Sequence, residues 1–234
     1  MSARALVSGG QGGIGRATVA ALAAADHLVA VADLDDSTKP PGAAEAFAVD
    51  LRDPQACVDV VERTVETFGG LDVLVHSAGI TRDGVTWKLT PEDWDAVLEV
   101  NLGAAFHLTR AAIPVMRQGG GGAIVFVSSI NGERGKFGQS AYAASKAGLH
   151  GLAKTVAREV GHFGIRVNVV APGMVRTPMT ESLPAAVIEA ARQDSCLGKL
   201  AEPEDIASVI AFLVGPASGH VTGQVIRVDG GQYL

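Results

Sequence analysis

The chain has 234 residues, 47% of them hydrophobic, which is enough to bury a substantial core and suits one α/β domain. Its formal charge of −6 is spread without any long basic run, which argues against nucleic acid and against an anionic membrane surface as partners. Cys57 and Cys196 lie far apart and outside any closely spaced ligand set, so no metal is expected, and a reducing, cytoplasmic compartment fits them.

The first strand is expected at 5–7, so close to Met1 that no cleavable leader fits before it. No apolar run is long enough to span a bilayer. Gly9-Gly10-Gln11-Gly12-Gly13-Ile14-Gly15 follows, and a helix pattern runs over 14–25. Glycines at such a strand-to-helix turn let the backbone approach a pyrophosphate, which the amides of the helix start can bind; a plain flexible turn is the alternative. The second strand, 28–32, ends at Asp33, eighteen residues after Gly15, where a carboxylate can take ribose hydroxyls and repel a 2′-phosphate. No lysine or arginine occupies Gln11 or Gly12 or follows Asp33 directly, so NAD is expected over NADP. Otherwise Asp33 is a solvated loop carboxylate beside Asp35 and Asp36.

Strand 47–49 leads to Asp50, and Asp53-Pro54 opens a helix over 54–68. Strand 73–75 runs into His76-Ser77-Ala78-Gly79. After Thr90-Pro91 a helical pattern covers 91–117, and its interruption at Asn101-Leu102-Gly103 predicts two helices. A flexible glycine loop, 119–122, precedes strand 123–127, which ends at Ser128-Ser129; helix 140–163 then carries Tyr142 and Lys146. Strand 166–170 is followed by Pro172-Gly173. The segment 179–200, with a short alanine-rich helix over 184–192, is expected to be a mobile substrate lid, or else an ordinary surface connection. Helix 203–213, opened by Glu202-Pro203, and strand 225–228 complete the chain. The alternation of apolar strands with helices predicts a seven-stranded parallel sheet covered on both faces, as one domain over 1–234.

Ligands of such sheets bind beyond the carboxyl ends of the strands, where the unusual residues gather. Tyr142 and Lys146, four residues apart on one helix, share a face. A phenol ionises near pKa ~10, and a neighbouring ammonium favours tyrosinate, making the pair an acid/base candidate. Ser129, at a strand mouth, can hydrogen-bond a reacting oxygen.

Taken together, Ser8-Gly9 through Gly15, Asp50-Leu51, Ala78-Gly79, Asn101, Ser129, Tyr142-Ala143-Ala144-Ser145-Lys146, Pro172-Gly173 with Thr177, and Val228-Asp229-Gly230-Gly231 resemble the short-chain dehydrogenase/reductase family over 5–231. The resemblance implies a single Rossmann-type, doubly wound domain. It implies a catalytic set of Ser129, Tyr142 and Lys146, with Asn101 completing a proton relay and Lys146 also gripping the nicotinamide ribose. Gly9, Gln11, Gly12, Gly13, Ile14 and Gly15 would cradle the dinucleotide, with Asp33 at its ribose. Asp50 and Leu51 would flank the adenine, Ala78 and Gly79 the adenosine side, and Pro172, Gly173, Val175 and Thr177 the carboxamide. A homotetramer built from helices 102–117 and 141–163, with the carboxy terminus at a further interface, is also implied.

Three positions depart from the family pattern. His76-Ser77 replaces an asparagine pair, which is expected to alter how that strand is tied to its neighbours without touching the chemistry and makes His76 a structural hydrogen-bonding residue rather than a catalyst. Ser8 replaces threonine, and Cys196 replaces proline before Leu197-Gly198. The stretch Gly79-Ile80-Thr81-Arg82-Asp83 and Gly138-Gln139-Ser140 look most like 3-oxoacyl-carrier-protein and acetoacetyl-CoA reductases, which typically use NADPH. With an NAD signal, the expected substrate is a small carbonyl compound or secondary alcohol, foremost a 3-oxoacyl or 3-hydroxyacyl thioester; Arg134, Lys136 and Arg176 are candidates to meet its phosphopantetheine arm. A non-catalytic dinucleotide-binding regulator is the rival reading, and a sugar-nucleotide epimerase would need a larger carboxy-terminal region.

Overall fold

The computed structural model describes residues 2–234 and, of Met179, the backbone only. Met1, from which the leader expectation starts, and the Met179 side chain, at the head of the expected lid, lie outside the described residues. Seven strands form one parallel sheet in the order β3-β2-β1-β4-β5-β6-β7. They are β1 Arg4–Ser8, β2 Leu28–Asp33, β3 Glu45–Ala48, β4 Val73–His76, β5 Gly122–Val127, β6 Ile165–Pro172 and β7 Val225–Val228. Each expected strand is present, β3 two residues earlier at its start and β6 two residues longer at its end.

Period-two alternation explains why the strands read as continuous apolar runs. Leu6, Ala30, Leu74, Ile124, Phe126 and Val167 pack on one face against helices α2 (Pro54–Phe68), α4 (Ala104–Gln118) and α6 (Ser140–Val160). Ala5, Val7, Val29, Val31, Val75 and Val125 pack on the other, against α1 (Gly13–Ala24) and α9 (Pro203–Val214). With both faces buried, little polar alternation survives. At the foot of the sheet Arg4 and Asp72 form a two-pronged ion pair of 2.7 and 2.8 Å, which fixes β1 beside β4 and holds the Asp72 carboxyl below its ordinary range.

The helix starts obey local chemistry. Asp53 caps α2 by accepting from the Gln55 amide at 2.8 Å, and Thr90 caps α3 (Pro91–Leu98) by accepting from Asp93 at 3.1 Å. Such caps contribute about 1 kcal/mol each. The expected division into two helices at Asn101-Leu102-Gly103 is present as α3 and α4, but what separates them is not a loop. Helical dihedrals persist from α3 into α4, and residues Glu99–Gly103 form a π turn. One widened turn absorbs an extra residue without ending the helix, and π turns of this kind concentrate at functional sites. Two short helices carried no clear sequence signal, α5 (Asn131–Arg134) and α7 (Pro178–Glu181). The alanine-rich pattern forms α8 (Ala185–Asp194), with no buried residue.

Candidate active site

The turn after β1 is shaped by backbone crowding. Gly9 has φ +68°, and a Cβ there would lie 2.5 Å from the Ala78 amide nitrogen; a Cβ on Gly15 would lie 2.0 Å from the Gly9 carbonyl oxygen. A Cβ on Gly13 would strike Thr177 at 2.6 Å, so the loop after β6 lies directly over the start of α1. At Gly12, by contrast, only the Gly9 oxygen comes near, at 3.4 Å. No side chain caps α1. Its first-turn amides, Gly13, Ile14 and Gly15 among them, therefore face a gap with donors to offer, a geometry that suits a pyrophosphate.

Asp33 accepts from the Gln11 amide at 3.0 Å and from the Leu34 amide at 2.9 Å, which sets its carboxylate at the rim of that gap. The Gln11 side chain turns away to the Asp35 carbonyl and to Thr38. The cradle therefore fits a dinucleotide, with the Asp33 carboxylate at its rim. Asp50 stands at the next strand end, with its carboxylate committed to Arg52 at 2.6 Å, which holds it below its ordinary pKa. Leu51 is buried in the core. Only its main chain is left to flank a base, which narrows the expectation for this pair.

The acid/base candidates meet at the mouths of β4, β5 and β6. Ser129 and Lys146 are buried, and Ser129 accepts from the Asn131 amide at 3.1 Å. Burial raises the Tyr142 phenol; a hydrogen bond with Ser129 works against that rise, and the Asp83 charge adds to it. The expectation that Lys146 lowers the phenol is not met in this geometry. Its Nζ donates to the Val127 carbonyl at 2.8 Å and lies 5.6 Å from the centre of the Tyr142 ring. Burial pushes Lys146 down to about 8. Gly79 leaves room for it, since a Cβ there would come within 3.1 Å of Nζ.

Asn101 is fully buried in the π turn, and its side chain is occupied. Oδ1 accepts from the Ile80 amide at 2.8 Å, while Nδ2 donates to the Ile80 carbonyl and to Ser145 Oγ, each at 3.0 Å. Ser145 in turn donates to the Tyr142 carbonyl at 2.7 Å. Asn101 thus fastens the loop after β4 to the phenol-bearing helix.

The loop after β6 closes the other side. The Gly173 amide donates to Val228, and a Cβ on Gly173 would collide with Gln232 Oε1 at 2.7 Å. Val175 is buried, and its carbonyl accepts from Thr180 at 2.6 Å. Two contacts escaped the sequence. Gln139 Nε2 donates to Asp83 at 3.1 Å, and the Gly84 amide donates to the Gly138 carbonyl at 2.8 Å, joining loops some 55 residues apart. The two stretches were singled out separately by resemblance, but nothing local pairs them, because the contact is made only by the fold. Two of the basic residues considered for a thioester arm are engaged elsewhere: Arg176 with Glu202 at 3.0 Å, and Arg134 with Asn131 at 3.0 Å.

Among the described residues no His, Cys, Asp or Glu group is arranged to hold a metal, and no helix is long and apolar enough to cross a membrane. The family model described as enoyl-(acyl carrier protein) reductase matches residues 9–232. The chain is 43% identical to the 3-oxoacyl-(acyl-carrier-protein) reductase of Thermotoga maritima, over 98% of this chain and 97% of that protein. It is 41% identical to the acetoacetyl-CoA reductase of Shinella zoogloeoides over the whole of both chains. It is 40% identical to the (3R)-3-hydroxyacyl-CoA dehydrogenase of Rattus norvegicus, over all of this chain and 97% of that one. A glycine cradle at β1, a serine, tyrosine and lysine at the strand mouths, and these likenesses along the full length carry one conclusion: the chain belongs to the short-chain dehydrogenase/reductase family of nicotinamide-dependent oxidoreductases.

Proposed function

We propose that the protein is an NAD(H)-dependent oxidoreductase interconverting 3-oxoacyl and 3-hydroxyacyl thioesters. The observation that carries the cofactor preference is Asp33, held by two main-chain amides at the rim of the cradle. A carboxylate there suits ribose hydroxyls and repels a phosphate. The substrate class rests on the three relatives, whose names all specify 3-oxoacyl, acetoacetyl or 3-hydroxyacyl thioesters. An NAD-dependent dehydrogenase of another secondary alcohol is the second reading, favoured by the engagement of Arg134 and Arg176 away from any thioester arm.

A nicotinamide dinucleotide bound in the cradle supplies or receives the hydride. In reduction the Tyr142 phenol gives its proton to the carbonyl oxygen as that oxygen gains an electron pair, and the Ser129 hydroxyl donates a hydrogen bond to the same oxygen. Oxidation reverses both. Lys146 holds the nicotinamide ribose, and Asn101 fixes the helix that carries the phenol, so orientation is the protein's share of the work. The test is a spectrophotometric screen of acetoacetyl-CoA, acyl-carrier thioesters and simple ketones and alcohols, each with NAD(H) and NADP(H). Turnover of thioesters with NADH well above NADPH is expected. Tight NADH binding without turnover of any of them would leave a non-catalytic binder.

Two expectations follow from the geometry. Asp83 raises the phenol, so Asp83→Asn should move the alkaline limb of the reduction pH profile, where the phenol must be protonated, to lower pH while keeping an acceptor for Gln139. A limb that stays in place or moves upward would remove Asp83 from the electrostatics. We also assign the segment 179–200, whose helix α8 has no buried residue, the role of a lid, so NADH should protect it from proteolysis. Equal cutting with and without NADH would make it a plain connection.

A further inference from the structure

His76 is fully buried at the end of β4, directly beside Ser8 in the β1–β4 register. Its Nδ1 lies 2.8 Å from Ser8 Oγ, and its Nε2 lies 3.2 Å from the Asn101 carbonyl oxygen. Chemistry fixes the tautomer. A carbonyl only accepts, so Nε2 carries the hydrogen; Nδ1 is then the acceptor, and the Ser8 hydroxyl must donate to it. Burial, reinforced by the Lys146 ammonium, pushes the ring down to about 3, so it stays neutral and the direction of both bonds is preserved. The Asn101 carbonyl belongs to the π turn, where main-chain bonding shifts by one residue and the ordinary helical partner is displaced.

We infer that His76 is a positioning residue for the proton-transfer step, tying the strand that opens the cofactor cradle to the π turn that aligns Tyr142. The connection is continuous in the structure. The Ser8 hydroxyl donates to His76, His76 to the Asn101 carbonyl, the Asn101 amide to Ser145, and Ser145 to the Tyr142 carbonyl. Asn101 also grips both main-chain groups of Ile80, so a displaced π turn would carry the loop after β4 with it. This rests on the proposed role of Tyr142 but asks more of the chain. An apolar residue at 76 would leave two buried partners unsatisfied, one on each side of the site. His76 is therefore more than a tie between two strands, since its Nε2 reaches out of the sheet to the π turn.

The test has an arm that needs no turnover. Nitrogen NMR of the wild-type protein should show the His76 ring neutral and protonated at Nε2 from about pH 8 down to about pH 5, well below where a free imidazole charges. A ring that titrates in that range, or carries its proton on Nδ1, would overturn the inference. In the kinetic arm, His76→Leu should lower kcat by roughly tenfold to a hundredfold, the scale of a misplacement near 1 Å. It should also raise the solvent isotope effect on kcat, leaving KM for NADH within about twofold. His76→Gln, whose amide can accept from Ser8 and donate to Asn101, should recover most of the loss, and Ser8→Ala should shift the isotope effect in the same direction by less. A lower kcat with an unchanged solvent isotope effect, or a glutamine variant no better than leucine, would reduce His76 to a packing residue. If His76→Leu does not fold, the glutamine and Ser8 variants still decide. Failure of the wild-type enzyme to turn over any thioester would count against the proposed function and leave the NMR result standing.

Discussion

Tyr142→Phe should lower turnover by about 10²- to 10⁴-fold, the range set by losing a positioned general acid, while NADH binds with nearly unchanged affinity. The substitution removes one oxygen and keeps the ring that packs 5.6 Å from Lys146 Nζ. It also leaves Ser145 bonded to the main-chain carbonyl of residue 142, so the helix does not shift. Burial already holds the phenol above its ordinary pKa. At neutral pH it is therefore protonated and suited to giving a proton in the reductive direction. Rapid-mixing measurement of NADH oxidation, with cofactor fluorescence reporting binding separately, checks both halves. A phenylalanine variant that turns over within about tenfold of wild type would hand the acid's role to another group.

Gly15→Ala should be the most damaging single-methyl change in the cradle. Its Cβ would sit 2.0 Å from the Gly9 oxygen and 2.8 Å from Gly10 Cα, and both neighbours are backbone, so no side chain can rotate away. Overpacking of this kind costs about 1–3 kcal/mol. At roughly 2–4 °C per kcal/mol for a chain of this size, the melting temperature should fall measurably. NADH affinity should fall by about tenfold or more, since the loop must move off the amides that face the pyrophosphate. Gly12→Ala is the contrasting case. Its Cβ would meet only the Gly9 oxygen at 3.4 Å, so melting should be unchanged while NADH binding weakens, because the methyl enters the gap itself. Equal effects of both variants on melting and on binding would mean that the cradle is not where the dinucleotide lies.

What could be read before the fold was known depended on the range over which each signal acts. The strands, the glycine turn, Asp33 and the Tyr142–Lys146 pair are written in short windows of sequence, where period, spacing and residue type speak for themselves. Asn101 and Gly103 mark the division between α3 and α4, but nothing local says that the division is a π turn or that its buried asparagine is satisfied by Ile80 and Ser145. Lys146 was expected to act on the phenol because the two share a helix face. The Val127 carbonyl, on a different strand, takes its Nζ instead. Likewise Asp83 and Gln139 were invisible as a pair, being 56 residues apart and brought together only by the approach of two loops.

The strand order has a consequence for how the chain is made. β1 lies inside the sheet, yet one of its neighbours, β4, begins 69 residues after β1 begins. Until that stretch leaves the ribosome, β1 to β3 hold an apolar edge with unpaired amides and carbonyls, the kind of surface that recruits other chains. Closing such a distant pairing is slow, so the strands made before β4 are the ones that depend longest on being shielded.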